Sequence, residues 1–471
     1  MEILVALVFA IYWIIVEILK KKGILEKLNI TAYGPLLMIR TSKLLNVIEK
    51  LSKSKSFWII VAEFGFFTIL AGMVFMMVLV VLVDYIMIVS SPEPSEYTSI
   101  RAALIIPGIN PFIPLVWGLI GLIVTLIVHE FSHAILCRVE KIKVKSLGIL
   151  LALVPIGGFA EPDEGELKKA DRRSKLRVYS AGISANFITA FASFIIFLSL
   201  LSFVEPTVSI WSDELIGIVR EVDGYEVNSV EDLKKNTSHL KLKVEKNGEK
   251  IELEILNVWG VKILSLVDGP AKNAGIQVGD VITAIDGKKV ENFEDFRKIL
   301  SEKKPYDHAY VEVYRKNEFI TYELKLSEKD GRAFMGVVVS TNYCLAGYII
   351  QDSRTFLDYL KSIPQLSLNP LNWFVLIAMP FNFQGFIGVY EEIFDAPEIV
   401  FYLLNTMYWI FWINFYVALF NCLPAIPLDG GRFFHEFLTK FVSRKIVDGV
   451  VKSLSLFIFF SILLTIIVPN V

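Results

Sequence analysis

The chain has 471 residues, of which 54% are apolar and 20% charged, against roughly 45–50% and about 25% in an average soluble protein. A net charge of −2 leaves no electrostatic footprint for nucleic acid, and the three cysteines, Cys137, Cys344 and Cys422, form neither a C-x-x-C pair nor a disulfide framework. These proportions describe a membrane chain that carries a soluble part.

Five apolar segments, near 2–19, 57–89, 113–137, 179–204 and 401–424, are long enough for a bilayer crossing of about 20 residues, and a sixth lies near 447–468. The first is not expected to be a signal peptide, because Lys20-Lys21-Lys22 comes after it instead of before it. The stretch from Lys20 to Ser56 is strongly basic, whereas the link between the second and third segments holds only Arg101 with Glu93 and Glu96. The positive-inside rule then predicts an outside N-terminus, a cytoplasmic Lys20–Ser56 and an inward-running third span. Arg138, Lys141, Lys143 and Lys145, then Lys168 to Arg177, come after that span and fit the same side. Between them Leu147–Ala160 is apolar, too short to span, and broken at Pro155-Ile156-Gly157-Gly158-Phe159. It reads as a re-entrant hairpin or as a cytoplasmic hydrophobic patch. Glu17, Glu63 and Asp84 lie near span ends and read as solvated interfacial groups.

From about Trp211 to Ser340 the pattern changes to alternating apolar and charged residues, as in half-buried strands, and span parity makes this block extracytoplasmic. It contains an internal repeat. Val222-Asp223-Gly224-Tyr225-Glu226-Val227 followed by Glu231-Asp232-Leu233 is echoed by Ile285-Asp286-Gly287-Lys288-Lys289-Val290 followed by Glu294-Asp295-Phe296. The second copy also holds Gly269-Pro270-Ala271-Lys272-Asn273-Ala274-Gly275-Ile276-Gln277-Val278-Gly279-Asp280, which resembles the helix-and-turn signature of PDZ domains. That resemblance implies a groove for an extended peptide or C-terminus, with Trp259-Gly260-Val261 as the candidate carboxylate loop. The first copy reads as a degenerate PDZ domain or as a half-domain completed by the transmembrane flank.

Two histidines, His129 and His133, flank Glu130-Phe131-Ser132 inside the apolar third segment. At i and i+4 they share one helix face, and ionisable residues in a bilayer helix are costly without a use. H-E-x-x-H on a helix is a zinc site with a built-in base. A zinc hydrolase needs a third protein ligand, and His239, His308 and His435 fall on soluble segments or loops. Asp429 is the better candidate. It stands in Asn421-Cys422-Leu423-Pro424-Ala425-Ile426-Pro427-Leu428-Asp429-Gly430-Gly431, where prolines unwind a helix end and glycines let the backbone turn. For Asp429 to reach the depth of the histidines, Trp373–Val389 must stay interfacial; Pro380, Asn382, Gln384 and Gly385 interrupt it accordingly. Arg432, Lys440, Arg444 and Lys445 place the segment after Asp429 in the cytoplasm.

Taken in order, His129-Glu130-x-x-His133, Gly157-Gly158-Phe159, Gly182-x-x-x-Asn186, a PDZ insert and Asn421-x-x-Pro424…Leu428-Asp429-Gly430 resemble the site-2 protease family of intramembrane zinc metalloproteases. The likeness covers residues 113–204 and 401–445 plus the insert. One departure is Pro427 directly before Leu428-Asp429, a proline spacing expected to change loop shape and not ligand identity. The family implies Zn2+ held by His129, His133 and Asp429, with Glu130 as general base and later proton donor. It further implies that Asn186 orients substrate or stabilises the tetrahedral intermediate, and that Gly157, Gly158 and Phe159, with Asn421, receive the unwound substrate. Read from the residues alone, Gly182 and Asn186 also fit close helix packing.

The expected architecture is a polytopic α-helical membrane protein of about six transmembrane helices and one re-entrant hairpin, with an inserted extracytoplasmic α/β PDZ-like region. Its expected parts are 1–112, an N-terminal transmembrane pair; 113–210 and 401–471, the two halves of the protease core; 211–256, the degenerate copy; 257–340, the PDZ domain; and 341–400, an interfacial connector. The expected location is the cell membrane, with the active site toward the cytoplasm. The expected partners are single-pass membrane-protein substrates, a peptide at the PDZ groove and the lipid bilayer. Two rival functions share these features: a metal transporter using the same three ligands, and a non-catalytic PDZ-bearing adaptor. Glu130 argues against transport, since only a hydrolase needs that carboxylate as a base.

Overall fold

A computed structural model describes residues 2–102, 104–152 and 154–470. It divides into two compact units, one of Met1–Ser199, Phe374–Gly385 and Tyr402–Val471, the other of Leu200–Trp373 and Phe386–Phe401.

The first unit is helical. Its main helices are α1 (Glu2–Lys21), α2 (Lys55–Ser90), α3 (Leu115–Val139), α4 (Arg172–Leu200), α5 (Glu398–Asn421), α6 (Asp429–Leu438) and α7 (Arg444–Ile467). Among the described residues five helices, α2, α3, α4, α5 and α7, are long and apolar enough to cross a membrane. The segment expected near 2–19 forms α1, a helix of 20 residues. In lipid, helices gain little by hiding apolar surface from one another, so close crossings depend on small residues. Gly65 of α2 lies on Ser184 of α4, Gly72 of α2 on Cys422, and Gly121 of α3 on the Trp409 carbonyl; a Cβ added at these glycines would stand 2.8, 2.6 and 2.6 Å from its nearest neighbour. Glu63 is not simply solvated. Its carboxylate accepts from Arg173 and Arg177 of α4, at 2.9 and 2.7 Å, and Arg177 also reaches Glu140 after α3 at 2.9 Å. This network ties the start of α2 to the end of α3 and the start of α4.

A four-stranded antiparallel sheet completes this unit, in the order β1 (Ile30–Tyr33), β2 (Leu36–Thr41), β3 (Val144–Ala152), β4 (Val154–Pro162). The short apolar piece Leu147–Ala160 is therefore a β-hairpin, and residues from the basic stretch Lys20–Ser56 add two strands to it. Strand alternation sends Gly158 and Ala160 toward α3 and Gly157, Phe159 and Glu161 to the other face. Ala160 packs against the core that holds Ile135 and Leu136 of α3, while the Phe159 ring lies over Gly148 beneath the Arg40 guanidinium, 5.9 Å from the ring centroid. Among the described residues β4 is one edge of the sheet.

Among the described residues the second unit holds two larger cores and a small cluster of Val281, Tyr314 and Cys344. The first is built from β5 (Val208–Trp211), β6 (Leu215–Val222), β7 (His239–Lys246) and β8 (Glu249–Leu256). The second uses β9 (Trp259–Leu266), β10 (Val281–Ile285), β11 (His308–Arg315), β12 (Glu318–Lys325), β13 (Val337–Val339) and the helix Phe293–Ser301. The repeated Asp-Gly turns adopt the same conformation, with φ of 50° and 82° at Asp223-Gly224 and 50° and 75° at Asp286-Gly287. Asp223 accepts from the Lys241 N–H at 3.0 Å and Asp286 from the Tyr310 N–H at 2.7 Å, so each side chain ties its turn to the next strand. The copies differ in the following helix, a 3-10 turn at Val230–Leu233 in the first and nine residues in the second.

The repeat also continues beyond the segment that shows it in sequence. Strands β14 (Tyr343–Leu345) and β15 (Tyr348–Asp352), within the stretch expected as a connector, join the first core through Leu345 and Ile350. β15 pairs with β5 as β13 pairs with β9. Leu345-Ala346-Gly347-Tyr348-Ile349-Ile350 matches Phe334-Met335-Gly336-Val337-Val338-Val339, with positive φ of 92° at Gly347 and 89° at Gly336. The second copy is thus inserted within the first.

Candidate metal centre

His129 and His133 sit one turn apart on α3, and Asp429 is the first residue of α6. The turn between α5 and α6 folds tightly enough that Gly430 lies against the Asn421 and Leu423 carbonyls and Gly431 against Ala425, each within 2.5 Å of where a Cβ would be. That fold-back brings the Asp429 carboxylate to the histidines. His129 Nε2 and Asp429 Oδ2 are 3.1 Å apart, His133 Nε2 and Asp429 Oδ2 2.9 Å, and the two Nε2 atoms 3.2 Å. Zinc ligands at about 2.0–2.2 Å from a tetrahedral ion stand at comparable mutual separations. Two imidazoles and a carboxylate form a group that could hold a metal ion and leave a fourth position open.

The surroundings fit a metal. His133 Nδ1–H donates to the Val178 carbonyl at 2.8 Å, which leaves its Nε2 lone pair aimed at the group. His129 Nδ1 lies 3.1 Å from the Asn186 amide. Asn186 is fully buried and its Oδ1 has no partner as placed. With the amide turned over, that oxygen accepts from His129 Nδ1–H and frees the second Nε2 for a metal. Gly182 provides the space: a Cβ there would lie 2.5 Å from His133 Nε2 and 2.6 Å from His129 Nδ1. The close packing expected of Gly182 is thus packing against the histidines themselves.

The other residues singled out by sequence divide into two sets. Glu130 lies against β4, with its Cγ 2.6 Å from where a Gly158 Cβ would be, so the strand edge and the carboxylate are neighbours. Gly157 and Phe159 face the opposite side of the sheet, and Asn421 turns its amide back to the Val417 carbonyl of its own helix at 3.0 Å. No sequence signal marks the Val178 carbonyl, because a main-chain acceptor leaves no residue signature. Arg432, one turn after Asp429 with its Nη1 3.9 Å from Oδ1, stands out in sequence only as a topology charge. In the insert, β9 has both edges paired, with β10 on one side and β13 and β14 on the other. Trp259-Gly260-Val261 therefore offers no open edge; β13, paired among the described residues with β9 alone, does.

Residues 117–466 match peptidase family M50. An uncharacterised protein of Methanocaldococcus jannaschii is 27% identical over 96% of this chain and 91% of its own length. The zinc metalloprotease RasP of Shouchella clausii is 25% identical over 35% of this chain, which spans 39% of that protein. A PDZ domain of an SdrC-like protein from Listeria monocytogenes aligns with 17% of this chain and 86% of that domain, at 26% identity and a TM-score of 0.16. With three converging metal-ligand side chains inside a family match of this extent, the chain belongs to peptidase family M50, the site-2 protease family of zinc metalloproteases.

Proposed function

We propose that this protein is an intramembrane zinc metalloendopeptidase that cuts single-pass membrane-protein substrates within or near their transmembrane segment, in regulated intramembrane proteolysis. The observation that carries the proposal is the convergence of His129, His133 and Asp429 beside Glu130 and an open strand edge. These three residues would hold the zinc, which when bound would supply a Lewis acid and lower the pKa of a water from roughly 15.7 to about 7. The Glu130 carboxylate takes the proton of the attacking water and returns it to the leaving amine. Asn186 Oδ1 fixes His129, and its Nδ2 is a donor for the scissile carbonyl. A transmembrane helix hides its peptide bonds in internal hydrogen bonds, so substrate must unwind before cleavage. The unwound segment adds to the free edge of β4, where Gly158 brings it to Glu130.

The site works at depth. His129 lies ten residues before the end of α3, about 15 Å along the helix. Tyr12 lies nine residues before the end of α1, about 13 Å, and its hydroxyl donates to Pro35 at the tip of the β1–β2 turn at 2.8 Å. A re-entrant sheet is the consequence of that contact if α1 spans. The start of α2, the end of α3 and the start of α4 meet in the Glu63 network among basic residues, which supports a cytoplasmic side for this end. Span parity then leaves the insert extracytoplasmic. There an extended peptide or C-terminus adds to β13, whose Val337 and Val339 pack against the same core that takes Phe296 and Ile299 of the helix Phe293–Ser301.

The test is the full chain purified in detergent, wild type and Glu130→Gln, assayed for zinc and for cleavage of single-span substrates. The expected result is about one zinc per chain in both forms, with cleavage reduced about 10²–10⁴-fold in the variant. Zinc without cleavage in either form favours transport. A chain that binds no zinc is not a metalloprotease.

A further inference from the structure

A cavity of about 300 Å³ lies within the first unit, between α2 (Met76, Leu79), the segment before α3 (Ala102, Phe112), the Ile377–Phe381 turn and α5 (Trp409, Leu419). By volume it would take roughly ten waters, yet water needs two to four polar partners to stay. Every lining side chain with a polar nitrogen or oxygen is already engaged. Asn110 donates to the Ala102 and Leu104 carbonyls and accepts from the Phe112 N–H, Trp409 donates to the Gln384 carbonyl, and Tyr416 donates to the Ile377 carbonyl. The pocket is half open and its lining is almost wholly apolar, so water gains few partners in it and an apolar occupant would give its walls the dispersion contacts they lack. Two of those walls, α2 and α5, are long apolar helices of membrane-spanning character.

We infer that this cavity is a binding site for one hydrocarbon chain of a bilayer lipid. A bilayer supplies such chains at every membrane-spanning wall, and an apolar pocket with all its polar side chains engaged selects nothing else about them. The site has a consequence for the metal centre. Leu419 packs in one cluster with Leu423, Ala425 and Leu428, the turn that delivers Asp429. A chain in the cavity props that turn.

The test uses the full chain, stripped of lipid in detergent and titrated with a phospholipid brominated along one acyl chain. Trp409 fluorescence is isolated as the difference between wild type and Trp409→Phe. Quenching is expected to saturate at one lipid per chain and to disappear in Ala378→Phe, which fills the cavity; Ala102→Phe does the same from another wall. Unchanged quenching in folded, filled variants, or quenching that never saturates, means ordinary annular lipid and overturns the site. Quenching seen only with a single-span peptide carrying a brominated side chain assigns the space to substrate and overturns it too.

Discussion

In the membrane unit the site depends on side chains that are missing. Gly182 lets α4 touch the histidines, Gly158 lets β4 lie on Glu130, and Gly430 lets α6 start beneath α5. In the insert, by contrast, what could bind depends on which backbone edges are already taken. β13 and β15 come after equivalent Gly-containing runs, yet β15 is paired on both sides, by β5 and β14, and β13 on one. Residue identity controls the first region and pairing the second. Substitutions of the same kind should therefore act differently in the two.

The largest effect is expected at Gly182. In Gly182→Ala the new Cβ would stand 2.5 Å from His133 Nε2, so the ligand rings must move. Zinc affinity should fall about 10–100-fold, the scale seen when groups orienting a ligand are lost, and cleavage should fall with it. Metal titration of the folded variant checks this; unchanged affinity would mean that α4 does not shape the site. Gly158→Ala separates positioning from metal binding. A Cβ there would lie 2.6 Å from Glu130 Cγ. Full zinc occupancy with cleavage reduced by up to about 10²-fold is expected, since displacing a catalytic group by around 1 Å can cost that much.

The same contrast explains what is legible in the sequence. His129, His133 and Asp429 announce themselves by residue type, because ionisable groups beside apolar runs need a reason. Gly182-x-x-x-Asn186 is legible as a family motif, but its reach to His129 Nδ1 depends on the crossing angle of two helices. β1 and β2 are hidden because strands of four and six residues sit in a stretch whose dominant signal is charge, from Lys27 to Lys43. Glu63 looks solvated in sequence because its partners Arg173 and Arg177 lie over a hundred residues away. The Trp259-Gly260-Val261 expectation fails for a different reason: a strand reads the same whether its edge is free or paired, and the residues that cover β9 come from Val337 onward.

In the insert, the proposed docking strand is β13. The Gly336 carbonyl and the Ser340 N–H face β9, so alternation turns the Val339 N–H to the free edge. Val339→Pro should remove one peptide hydrogen bond, about 0.5–1.5 kcal/mol or a few-fold to tenfold in affinity, with little change in the ladder to β9. Ile350→Pro, in the strand paired on both sides, should instead lower the melting temperature. Equal losses of peptide affinity in both would place binding on the first copy as well.

The smallest effect is expected from Arg40, which couples the strands of the basic stretch to the strand beside Glu130. Its guanidinium covers the Phe159 ring at 5.9 Å, donates to Thr31 Oγ1 at 2.7 Å, and stands 3.9 Å from Glu161. The carboxylate contact is long and partly exposed and should contribute little. The ring contact is worth about 0.5–1 kcal/mol at an exposed site. With all of that holding β4 in place, Arg40→Ala should cost roughly two- to fivefold in cleavage, since 1.36 kcal/mol corresponds to tenfold. The loss should appear in KM more than in kcat, because β4 is the strand proposed to receive substrate and Arg40 touches neither Glu130 nor the ligands. Zinc content should stay at the wild-type level. A kcat loss with unchanged KM would mean that the sheet sets the base and not the substrate, and the edge of β4 would then have to be replaced as the docking strand.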